Sequence, residues 1–137
     1  MGYSDQERAN IALVTAYRSV PMAERRRFLS PRVTTGRNGF HNLGEITGTT
    51  DLSAGAIPDR EDEVLGIVAH GDEVWALWVV RGTHAGELLG IPATGRPIEV
   101  LEMGRWRIED GLIADGWFMA DELALVRQLG YPVRPGR

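Results

Sequence analysis

The segment RGTHAGELLGIPATG, residues 81–95, divides two long stretches in which apolar residues alternate with polar ones. Residues 74–82 place Val74, Ala76, Trp78 and Val80 on one face, and residues 97–109 do the same with Ile98, Val100, Trp106 and Ile108. A period of two marks a strand with one buried face. Gly82, Gly86, Gly90 and Gly95, with Pro92 and Pro97, make the connection a shaped loop rather than a tight turn. Two strands joined in this way pair and curve, and their apolar face needs helices laid across it.

The rest of the chain supplies those helices. Apolar groups at Ile11, Leu13, Val14 and Tyr17 predict an amphipathic helix over residues 4–20, with Ser4 or Asp5 as cap and Glu7 completing a capping box. Pro21 opens a short second helix, 22–29, which Ser30-Pro31 ends. A brief strand at 33–35, a glycine- and asparagine-rich loop, and one short helix at 50–56 follow. From Glu63 strands are expected at 64–70, 73–82, 97–108 and 112–120, with Gly71-Asp72 as a turn. A helix at 121–129 then runs between the cap Asp121 and Gly130. This order predicts a single α+β domain of 137 residues: a curved antiparallel sheet, N-terminal helices on its concave face and a short C-terminal helix.

The last hairpin decides which side chains face the helices. A three-residue loop at Glu109-Asp110-Gly111 sets Ile108 opposite Leu112, Trp106 opposite Ala114 and Glu102 opposite Phe118, with the apolar set inside. A two-residue Asp110-Gly111 turn shifts the register by one and turns Asp115, Trp117 and Asp121 inward instead. The first register is preferred because it leaves the charges outside. In it, Ala76, Gly104, Ala114 and Gly116 leave room between Trp78, Trp106 and Phe118, as in the wall of a small-molecule cavity.

Composition narrows the chemistry. The absence of cysteine removes thiolate nucleophiles and Cys-ligated zinc, and a net charge of −4 argues against a nucleic-acid partner. No apolar run has the length of a membrane span. A cytoplasmic protein without membrane partners is expected. The three histidines lack close metal-ligand spacing, so no metal site is expected. Arg25, Arg26 and Arg27 read as a solvated helix face.

GTHAGELLGIPATGR, then RIEDGLI, a tryptophan and RQLG resemble the SnoaL-like polyketide cyclase family, within the ketosteroid-isomerase and nuclear-transport-factor fold group. The resemblance implies a cone-shaped pocket between curved sheet and helices, a dimer through the outer face of the sheet, and cofactor-free aldol ring closure by a carboxylate on the last strand. Counting back from RQLG, that carboxylate position falls on Phe118 here, its accompanying histidine on Gly104, and a polar pocket residue on Thr35.

With Phe118 in the usual place of the acid, Glu102 is the candidate general acid and base, ringed by Trp78, Trp106 and Phe118 as substrate-binding aromatics. His84 is the candidate assistant, or a structural hydrogen-bonder of the loop. Thr35, His41 and Asn42 are candidate residues of the pocket and its mouth. The expected activity is that of an enzyme without cofactor or metal, acting by proton transfer on a hydrophobic polyketide-like or cyclic substrate. Two alternatives stand beside it: epoxide opening by activated water, and a binding protein that has lost the acid/base set. A homodimer through Trp75 and Trp117 on the outer face is also expected.

Overall fold

The computed structural model describes residues 2–36, 55–88 and 90–131, with residues 34–36 as backbone only. It is an α+β fold built on a five-stranded sheet. The elements run α1 (Asp5–Ser19), a 3-10 helix (Met22–Phe28), β1 (Leu29–Gly36), β2 (Glu61–His70), β3 (Glu73–Thr83), β4 (Pro97–Glu109), β5 (Leu112–Ala120) and α2 (Glu122–Gln128). The strand order is β1-β5-β4-β3-β2.

The capping box of α1 forms as expected: Ser4 Oγ accepts from Glu7 N at 3.1 Å, and Glu7 Oε1 accepts from Ser4 N at 2.9 Å. The other Glu7 oxygen takes the N–H of Gly71 at 3.0 Å, which fastens the start of the helix to the β2–β3 turn. From there α1 lies along β2 and β3, with Asn10, Val14 and Arg18 as its buried line. Residues four apart share one face of a helix, so this line faces the sheet.

Strands β2 to β5 form the expected antiparallel meander. β1 differs from expectation in two ways. Ser30-Pro31 does not terminate a helix that reaches residue 29; both lie inside the strand, preceded by the 3-10 turn. β1 also pairs parallel to the free edge of β5, with Thr34 opposite Asp115 and Thr35 opposite Gly116, so the sheet is mixed. Proline is tolerated on such an edge strand because no ladder bond is lost there. The expected helix at 50–56 lies almost wholly outside the described residues.

The last hairpin combines both candidate registers. Its turn is the two-residue one, with Glu109 opposite Leu112 and positive φ at Asp110 (52°) and Gly111 (73°), the conformation of a primed hairpin turn. A bulge then shifts the ladder by one residue between Arg107 and Ile108. This second shift restores the apolar face, so Ile98, Val100, Glu102, Gly104, Trp106 and Ile108 all point inward. The pairs move, however: Glu102 lies opposite Ala120, and Gly104, not Glu102, lies opposite Phe118. Asp115 and Trp117 stay on the outer face, where Asp115 pairs with Arg105 at 3.2 Å and Trp117 lies 6.3 Å from Trp75.

Among the described residues, two apolar clusters fill the inner side. One gathers Val14, Val74, Ala76, Trp78, Val80, Trp106, Ile108 and Ile113. The other gathers Ala56, Ile57, Ile91, Ile98, Val100, Leu125 and Leu129 under α2. Along β4, Glu102 and Gly104 fall at the seam between them.

Candidate active site

Alternation along β4 carries Glu102 inside, where it is 4% exposed. Trp78 is its partner across the β3–β4 ladder, and the indole N–H donates to Glu102 Oε2 at 3.1 Å. The Arg60 guanidinium stands 3.9 Å from the same oxygen. A donor and a cation facing one carboxylate oxygen hold that side chain in place.

The aromatics expected around Glu102 are packed closely. The Trp78 and Trp106 rings lie 5.4 Å apart, and Tyr17 meets Trp106 edge-on at 6.1 Å. Gly104 does not open a space between them. A Cβ there would stand 3.0 Å from the Trp78 ring and 3.1 Å from that of Trp106, so the missing side chain admits the two indole edges. Phe118 is half-buried on the same face and packs against this cluster.

Beyond Trp78 lies a cluster of charges that no local reading of the sequence brings together. Asp62, on β2, has no exposed side-chain surface. Its carboxylate takes Arg60 in a forked pair at 2.7 and 3.1 Å, Arg25 at 3.1 Å, and Arg18. Desolvation pushes the Asp62 carboxyl up, but the Arg60 hydrogen bond and the charges of Arg18, Arg60 and Arg25 outweigh it and hold it below its ordinary value. Arg18 goes the other way: burial, with Arg25 adding, pushes its guanidinium down to about 10. The Arg18 guanidinium rests 4.1 Å above the Trp78 ring, the same indole whose N–H holds Glu102. Arg25 is therefore not part of a solvated face; only Arg26 and Arg27 are exposed.

Arg18, Arg25, Arg60 and Asp62 were not among the sequence candidates. One signal was present: Arg18 stands four residues beyond Val14, on the stripe that buries Asn10 and Val14.

His84 is fully buried but serves its own loop. Nδ1 accepts the Thr94 N–H at 3.2 Å and faces the Thr94 hydroxyl at 2.9 Å, which leaves the ring hydrogen on Nε2. Its backbone bonds Arg96 O and Gly95 N. It follows Thr83, which pairs with Pro97, while Glu102 pairs with Trp78. Five strand steps, roughly 17 Å, thus separate His84's end of the ladder from the carboxylate. The candidate acid/base Glu102 and its candidate assistant His84 are not brought together, and the hydrogen bonds of His84 are those of the structural alternative. Asp121 caps α2 through Ala124 N at 3.1 Å. Thr35 is placed by its backbone on β1; His41 and Asn42 lie outside the described residues.

The family model described as SnoaL-like polyketide cyclase matches residues 27–129 of this chain. Aklanonic acid methyl ester cyclase DauD of Streptomyces sp. (strain C5) is 40% identical to it over 70 residues, 51% of this chain and 44% of that protein. The chain thus matches less than half the length of this curated relative. The crystal structure of a SnoaL-like protein from Jannaschia sp. CCS1 superposes with a TM-score of 0.76 at 17% identity, over 97% of this chain and 99% of that one. That of IdmH from Streptomyces antibioticus gives 0.64 at 30% identity, over 89% and 96%.

Proposed function

The chain belongs to the SnoaL-like polyketide cyclase family, and on that premise we propose that it is a cofactor-free enzyme of proton transfer on a hydrophobic, polyketide-like or cyclic substrate. The observation that carries this reading is Glu102: an inward carboxylate, 4% exposed, held by the Trp78 indole at 3.1 Å. It stands on β4, next to the strand where the family's carboxylate would be Phe118. On a ligand that reaches it, such a carboxylate can remove an acidic C–H proton; the carbanion then attacks a carbonyl carbon of the same molecule. The carbon–carbon bond forms, and the proton held by the carboxyl passes to the new alkoxide. Ring closure by aldol addition, isomerisation and dehydration all use this same proton relay.

Glu102→Gln tests the assignment. The amide fills the same space and keeps an acceptor for Trp78, but it cannot take a proton. Turnover of a substrate found by screening conjugated 1,3-dicarbonyl compounds should fall by about a hundredfold or more, with ligand binding retained. Unchanged turnover removes Glu102 from the mechanism.

One observation favours water activation on an epoxide as a second reading. That chemistry needs two inward carboxylates, and Asp62 and Glu102 are two, joined through Arg60. Asp115 and Asp121, the carboxylates of the other register, are instead a surface partner of Arg105 and a helix cap. Diol formation from styrene oxide in heavy-oxygen water, lost in both Glu102→Gln and Asp62→Asn, would place this reading first.

A further inference from the structure

Arg18 is held by less than a guanidinium calls for. Its acceptor, Asp62 Oδ2, also accepts from Arg25 and Arg60, each at 3.1 Å, so one carboxylate serves three cations. Arg18 is 93% buried by area, being 7% exposed, and its Nε–H has no acceptor among the described residues. A buried donor left without an oxygen is costly. The flat faces around it are aromatic: Trp78 at 4.1 Å and Tyr17 at 5.7 Å, and the Arg25 guanidinium stands 5.4 Å from the same Tyr17 ring.

We infer that Arg18 forms an oxyanion site, which takes the ionised oxygen of an enolised 1,3-dicarbonyl or of a phenol on a flat, conjugated ligand. Guanidinium presents its donors in a planar fork suited to such an oxygen, and stacking rings beside it favour a flat partner. Burial first, then the charge of Arg25, lowers the pKa of Arg18 more than Asp62 and Glu102 raise it. The choice of ligand rests on the proton-transfer reading. When Glu102 takes a proton from carbon, negative charge moves to the neighbouring carbonyl oxygen; Arg18 lies on the face of the indole that holds Glu102 and meets that charge. Facing this position are Arg18 from α1, Arg25 from the 3-10 helix, Arg60 and Asp62 from the β2 side, and Glu102 from β4.

The test needs no turnover. 4-Nitrophenol changes absorbance on ionisation, so its titration can be followed while bound. It is measured in the Glu102→Gln protein, whose amide has the charge of the carboxyl after it has taken the proton. The bound phenol should ionise about one unit below the free phenol, a tenfold preference for phenolate. Arg18→Gln in the same background should return the titration to the free value, Arg18→Lys should retain only part of the shift, and Arg107→Gln on the outer face should leave it whole. A titration that does not move down, a shift undiminished in Arg18→Gln or equal in Arg18→Lys, or no saturable binding at millimolar phenol overturns the inference. The two readings fail separately. Loss of turnover in Glu102→Gln without a phenol shift removes only the oxyanion site, and a shift with turnover intact removes only the role of Glu102.

Discussion

The Trp78 indole N–H lies 3.1 Å from Glu102 Oε2, between residues that face each other across one rung of the β3–β4 ladder. Adjacent strands bring the two side chains together on the buried face, so the bond is set by register and not by a flexible loop. Hydrogen bonds to charged groups contribute about 1.5–3 kcal/mol. A double-mutant cycle with Trp78→Phe and Glu102→Leu, each of which removes one partner of the bond, should give a coupling energy in that range when read by urea unfolding. Additive single effects would mean that the bond does not form in solution.

Gly104→Ala should destabilise the fold although alanine suits a strand better than glycine. Its Cβ would sit 3.0 Å from the Trp78 ring, 3.1 Å from the Trp106 ring and 3.1 Å from the Trp117 carbonyl oxygen. Overpacking of this kind costs about 1–3 kcal/mol. Urea midpoints of the two proteins measure it, and a neutral or stabilising result would show that the indoles have room to part.

Acid should unfold the protein through three carboxyls held low. The Ser4 and Gly71 N–H groups hold Glu7 below its ordinary 4.5, the Thr83 N–H and hydroxyl hold Asp59 below 3.8, and the arginines, against desolvation, hold Asp62 below 3.8. A depressed carboxyl contributes stability that is present above its unfolded value and is lost as pH falls through the folded one. Stability should therefore hold above about pH 5 and fall steadily below it. Asp62→Asn should be less stable at neutral pH and lose less on acidification. An equally steep acid limb in that variant would separate Asp62 from the transition.

The outer face of the sheet carries Leu65, Val68, Trp75, Leu101 and Met119, each more than a third exposed, bordered by the Arg81–Glu99 pair at 2.9 Å. An apolar patch of this kind on a sheet suits a second copy of the chain. Sedimentation velocity should find a dimer, and Trp75→Glu with Leu101→Glu should reduce it to a monomer of unchanged helix and strand content. A monomeric wild-type protein at micromolar concentration would count against it.

Much of this architecture was legible because it is written in local periods. The meander follows from alternation at 73–82 and 97–108, α1 from Ser4 and Glu7, and α2 from Asp121 and Gly130. The inward position of Glu102 follows from the same alternation. The bulge near Ile108 was not legible, since no glycine or proline marks it; burial of the apolar set selects it against the turn. The charge cluster was hidden for another reason. Arg25 stands within three consecutive arginines and Asp62 among acidic neighbours, so each looks like a surface residue until α1, the 3-10 helix and β2 converge. The mixed sheet likewise depends on a contact between distant segments, Leu29 with Ile113.

That parallel pairing also orders the making of the fold. β1 is made before the meander, yet its ladder among the described residues is with β5, the last strand of that meander. Non-local pairing waits on loop closure. β1, made ahead of β2 to β5, thus waits for the last of them, and until then the β5 edge stands open to any other extended chain.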